Sequence, residues 1–118
     1  MPHIVLENIS AIQEAYEAIT PFADKIEGGM LKVTDKYINA SGQIALIEAL
    51  AIEGAKNQNF FIQLSQKKSS LTIRLLPVTD PEKTHGVKTI MAMIAKQIKN
   101  TDANITYGKT NLQDFLIN

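Results

Sequence analysis

Pro2 is the residue of this chain whose chemistry depends most on its position. If Met1 is trimmed, Pro2 becomes an N-terminal secondary amine, a base that no interior residue can offer. A free α-amino group titrates around 7.7–8.0, near the pH at which a general base works best. If Met1 stays, Pro2 is a proline at the first position of a strand, where its missing N–H is tolerated. Because proline is small and follows methionine directly, the expectation is that the native chain begins at Pro2. A base of this kind acts on an acidic carbon beside a carbonyl, and a substrate carboxylate would need a cation. Arg74 is the single arginine, and Lys32 is a second candidate.

Other familiar constellations are missing. His3 and His85 are far apart in sequence, so a metal site would need both plus distant carboxylates. Cysteine is absent, which removes thiol nucleophiles, thiolate metal ligands and disulfides and fits a reducing compartment. There is no Gly-x-Ser-x-Gly, no Walker-type loop and no Gly-x-Gly-x-x-Gly. His85, between Thr84 and Gly86 near a helix start, is either an anion dock or an exposed helix-start histidine.

Twelve basic residues balance twelve acidic ones, with no like-charge block beyond Lys67-Lys68. That argues against nucleic acid or an anionic membrane as partner. No apolar run approaches the ~18 residues of a membrane span, and His3 to Glu27 lacks the form of a signal sequence. The expected location is cytoplasmic. At 118 residues the chain is one domain with one core.

The elements that would position these groups follow from periodicity. Pro2 to Glu7 is a short β-branched and apolar run, read as a strand buried on both faces or nearly so. Ser10 with Gln13 has capping-box spacing after Ile9, predicting a helix whose stripe is Ile12, Tyr16, Ile19, Ala23 and Ile26. Pro21 should kink it or restart it with Thr20 as cap, and Gly28-Gly29 should end it. Met30 to Ala40 resembles a strand, with Leu31, Val33 and Tyr37 alternating against Lys32, Thr34 and Lys36, and Asn39 to Gly42 is a turn. The stretch QIALIEALAIEG is read as a strand with Ile44, Leu46, Leu50 and Ile52 on one face and alanines on the other.

Phe60 to Leu64 and Leu71 to Leu76 form a predicted hairpin that sets Leu64 opposite Leu71 and Arg74 opposite Phe61. In that register Arg74 is either a carboxylate ligand or a cation–π partner of Phe61. Thr79-Asp80-Pro81-Glu82 has the capping-box pattern of a second helix, with Val87, Ile90, Met91, Ile94 and Ile98 as its stripe and a stop at Asn100 to Asp102. Asn104 to Tyr107 is a last strand, and Leu112 to Ile117 is an apolar tail. Two helices on one side of a mostly antiparallel sheet make an α+β sandwich.

The opening MPHIVLE followed by a helix resembles the tautomerase superfamily, most closely its 5-carboxymethyl-2-hydroxymuconate isomerase branch. The likeness continues through Gly28-Gly29-Met30-Leu31, Asp35, Tyr37, Ala40-Ser41-Gly42 and the apolar strand Ile44 to Ile52. It implies a tautomerase-like sandwich, assembly as a trimer, and a cofactor-independent isomerase. Pro2 would be the base acting on a small 2-oxo or 2-hydroxy-dienoic acid. The branch's arginines fall on Leu31 and Val33 here, so the substrate's carboxylate is left to Lys32 or Arg74. The rival functions are an oligomeric domain that binds a small ligand without catalysis, and a protein-interaction module clamping a partner with Leu112, Phe115, Leu116 and Ile117.

Overall fold

Alternating apolar residues and two-residue turns organise the chain into a meander. The computed structural model describes residues 1–118. Its strands are β1 (His3–Glu7), β2 (Phe22–Ile26), β3 (Gly29–Ile38), β4 (Ile44–Glu53), β5 (Lys56–Lys67), β6 (Ser70–Leu75) and β7 (Thr106–Tyr107). Helix α1 (Ile12–Ala18) follows β1, and α2 (His85–Lys99) precedes β7. All strands join one sheet in the order β2-β3-β4-β5-β6-β1-β7, and every ladder is antiparallel. The fold is α+β, and α2 lies across β1, β3, β4 and β6, so the sheet curls around it.

The first helix is shorter than its periodicity predicts. It stops at Ala18, and Ile19 is already extended. Thr20 precedes Pro21, whose ring disfavours helical backbone in the residue before it. Phe22 to Ile26 then pairs with β3 as an edge strand, with Gly28 turning at φ 77°. Ser10 does not cap α1; its hydroxyl donates to Glu14 instead, and Ala11 holds the cap position. Lys36 closes the other end, its Nζ donating to the Tyr16 carbonyl at 2.8 Å and lying 4.5 Å from the Tyr16 ring centre. A cation there complements the negative end of the helix.

Helix α2 starts later than the Thr79 capping box predicts. Pro77–Thr79 is a 3-10 turn, and the Thr79 hydroxyl accepts the Phe61 N–H rather than capping a helix. Thr84 is the true cap, accepting from the Val87 N–H. The predicted stripe holds: Val87, Ile90, Met91, Ile94 and Ile98 are all buried.

The β5–β6 hairpin forms two residues out of the predicted register, with Leu64 opposite Ile73 and Ile62 opposite Leu75. A shift by two preserves the apolar face, because side chains repeat with period two. It does move Arg74 from Phe61 to Gln63.

Strand β4 forms where predicted and splits its faces as predicted, with the alanine face turned to the core. Ala45, Ile47, Ala49 and Ala51 are buried, whereas Leu46, Leu50 and Ile52 are half-buried and Ile44 is exposed. Small side chains face inward because the helices, with their Ile and Met side chains, occupy that side. One core of 27 residues results. Leu112 is buried, and Phe115 and Leu116 pack against the same core, so most of the tail covers its own domain, while Ile117 stays exposed.

Candidate functional site

Both faces of the sheet must be followed to place the candidate residues. Pro2, Ile4 and Leu6 are buried on the helix side of β1, whereas His3 and Val5 lie on the helix-free face. His3 pairs with Arg74 across the β1–β6 ladder, so the segment carrying Pro2 and the single arginine run side by side. A cavity of about 280 Å³ is lined there by Met1, His3, Val5, Thr72 and Arg74. Arg74 is exposed and makes no hydrogen bond or ion pair. The Met1 carbonyl accepts from Asn111 Nδ2 at 2.7 Å, and Asn111 Oδ1 accepts the His3 N–H at 2.9 Å. The C-terminal segment therefore clasps the first strand.

Lys32 is not part of this group. It is half-buried on β3 opposite Ala23 and Leu50, four ladder steps from β1. At ~4.8 Å per step that is about 19 Å along the sheet. The structure brings Arg74 to the Pro2 segment and leaves Lys32 remote.

Of the two readings of His85, the structure shows the exposed helix-start histidine, and the chain itself fills the position an anion would take. The Glu53 carboxylate accepts the Gly86 N–H at 3.0 Å and the Thr84 hydroxyl at 2.6 Å. His85 is exposed and rests on Phe115, with ring centres 5.0 Å apart.

A cluster that sequence spacing did not single out lies in the middle of the helix-free face. A bulge between Val33 and Asp35 lets Asp35 pair with Glu48, placing two carboxylates directly opposite each other. Like charges so placed repel. Tyr37 OH donates to Glu48 Oε1 at 3.1 Å and to Asp35 Oδ2 at 3.4 Å, and Thr34 Oγ1 donates to Glu48 at 3.1 Å. The Tyr37 hydroxyl is held above its ordinary value of 10.0, first by its hydrogen bond to Glu48, then by desolvation and the Asp35 charge. No lysine or arginine pairs with either carboxylate. Phe61 stands opposite Glu48, its ring centre 6.2 Å from that of Tyr37. Shallow clefts of about 300 and 330 Å³ open on either side of this pair. The one sequence signal was the tyrosine two residues after Asp35. Its link to Glu48 needed the bulge and the β3–β4 register.

No family model matches the chain, and neither a curated protein nor a solved structure is similar to it. Function therefore has to be argued from these faces. The largest cleft, about 460 Å³, lies between α1 and the loop after α2, with Ile9, Ala15, Ile98 and Ile105 in its walls. None of the sequence candidates lines it. No group of three His, Asp or Glu side chains is placed to hold a metal ion.

Proposed function

We propose that this chain is an association domain that works through the helix-free face of its sheet. One observation carries this: β4 turns its alanines to the core and presents Ile44, Leu46, Leu50 and Ile52 on the open side, beside Met30, Tyr37 and Phe61. An antiparallel sheet with one open face ordinarily alternates apolar inside with polar outside. Large apolar groups kept on the open side raise the free energy of the lone chain and are recovered only when a partner covers them. Patches of that kind mark contact surfaces.

The test is the state of the protein in extracts of cells that make it. The wild type should migrate as an assembly larger than its 13.0 kDa mass. A Leu46→Glu/Leu50→Glu variant should migrate as free chain and still unfold in one cooperative transition, at a melting temperature no lower than that of diluted wild type freed of its partner. Wild-type protein that migrates alone refutes the association role.

The Met1–Arg74 cavity supports a second function, the tautomerase-type isomerase that the opening MPHIVLE suggests. Removing Met1 would free the Pro2 nitrogen one strand away from Arg74, with the Pro2 ring on the helix side of β1 and the Arg74 side chain on the open face, so the substrate would have to reach around the end of β1. Burial disfavours a charged amine, so neutral Pro2 could take a proton from the carbon next to the carbonyl of a small 2-oxo acid and return it at another carbon. Arg74 would hold the carboxylate; Lys32 is too distant to share it. A tautomerase-like trimer belongs to this function. Phenylenolpyruvate ketonisation tests it: processed protein should be active, and a residue fused ahead of Pro2 should abolish activity by making the nitrogen an amide. Activity that survives the fusion, or is absent from processed protein, rules it out.

A further inference from the structure

The helix-free face carries cations without an ion-pair partner, Arg74 and Lys32 among them, and one pair of carboxylates without a cationic partner. The placement of Arg74 and the carboxylates on opposite sides of β5 fits a second copy of the same face. Glu48 on β4 is opposite Phe61 on β5, and Arg74 on β6 is opposite Gln63 on β5. Directly opposite residues share a face, and so do residues two apart on one strand. Asp35, Glu48, Phe61, Gln63 and Arg74 therefore all lie on the open side. The acidic pair sits on one side of β5 and the arginine on the other, with Phe61 and Gln63 between them. The chain's own ion pairs, Lys56–Glu82 and Lys83–Asp80, lie elsewhere.

We infer that this face packs against the same face of a second copy across a two-fold axis, Arg74 of each copy docking on the Asp35–Glu48 carboxylates of the other. The inference rests on the association role proposed for this face and names its partner. A two-fold axis over Phe61 and Gln63 exchanges the acidic site with the basic one, so a single operation forms both ion pairs at once. Each carboxylate pair, repulsive in the lone chain, gains a guanidinium that can fork between two acceptors. Phe61 and Tyr37 lie near the axis, where aromatic residues contribute most to an interface. A stable interface needs ~800 Å² per partner, roughly an eighth of the chain's 6350 Å² surface. One broad face of a sheet with strands of ten and twelve residues supplies an area of that order.

Sedimentation velocity and light scattering on the purified full chain test this. The wild type should have about twice the 13.0 kDa chain mass. Arg74→Glu and Glu48→Arg should each weaken the dimer by at least about 100-fold, since each places like charges at both symmetric sites. Mixing the two variants should restore a dimer, because one symmetric site then holds the native Arg74–Glu48 pair and the other holds the same pair with its charges exchanged. If Glu48→Arg fails to fold, the exposed Asp35→Arg takes its place in the mixture. A mixture that stays monomeric, or a wild-type mass of three chains, overturns the two-fold pairing. A purified monomer that still migrates as a larger assembly in extracts overturns the second copy as partner and leaves the association role standing. A dimer indifferent to Arg74→Glu and to Leu46→Glu/Leu50→Glu overturns both.

Discussion

Glu53→Ala should loosen the start of α2, and its cost can be worked from the contacts. The Glu53 carboxylate sits at the end of β4, accepts the Gly86 N–H and the Thr84 hydroxyl, and faces the positive end of a fifteen-residue helix. The contact is close: a Cβ at position 86 would lie 2.7 Å from that carboxylate, which would have to move away. A hydrogen bond to a charged group contributes about 1.5–3 kcal/mol, and the low end applies because Glu53 is half-exposed. The helix dipole adds about 0.5 kcal/mol. Glu53→Ala should therefore cost about 2 kcal/mol. Glu53→Gln keeps an acceptor for Gly86 and loses the charge, so about 1 kcal/mol is expected. At ~2.1 cal/mol/K per residue, unfolding a chain of 118 residues gives about 4 °C per kcal/mol. The melting temperature should fall by about 8 °C for the alanine variant and about 4 °C for the glutamine. Thr84→Ala in the same background should add less than its separate cost, because Thr84 and Glu53 share a hydrogen bond. Calorimetric melts with urea titrations measure all three. A Glu53→Ala loss below about 0.5 kcal/mol, or full additivity with Thr84→Ala, refutes the capping role.

Three further outcomes follow from the packing and the charge cluster. Gly29→Ala should cost about 3 kcal/mol or more in urea titration, since its Cβ would fall 1.8 Å from the Ile52 carbonyl oxygen and force β3 from β4. Ala49→Leu should destabilise by about 1–3 kcal/mol, whereas Leu50→Ala, its neighbour on the open face, should cost less than about 1 kcal/mol in dilute protein; equal costs would refute the placement of the alanines of β4 on the core side. In a phenolate absorbance titration, Tyr37→Phe should remove a step lying above pH 10.0. The Tyr37 value is raised by folding, so its contribution to stability is complete below the unfolded value and lost as pH rises through the folded one. Melts of wild type and Tyr37→Phe should therefore converge at strongly alkaline pH.

Much of the fold is visible in local pattern, because pattern is a local property. The alternation of Ile44 to Glu53, the Phe60–Leu75 hairpin and the stripe of Val87 to Ile98 each bury a periodic face and formed the predicted element. The strand after Met30 buries only Leu31 and Val33, because the bulge that follows turns Tyr37, expected on their face, to the open side. Where two local signals were compatible with one stretch, only tertiary pairing chose between them. Phe22 to Ile26 fits a helical stripe, yet β3 needed an edge partner and Pro21 had already broken the turn. The Thr79 capping pattern was equally sound, but Phe61 took its hydroxyl. The faces of β4 show the limit most plainly. Alternation says that Ala45, Ala49 and Ala51 share a side, but which side is core depends on the bulk of the helices laid against it. Arg74 was singled out as the lone arginine. Its neighbours, and the Asp35–Glu48–Tyr37 cluster on the same face, were decided by a two-residue register shift and a bulge. Both are settled by the packing of the whole sheet rather than by the residues beside them.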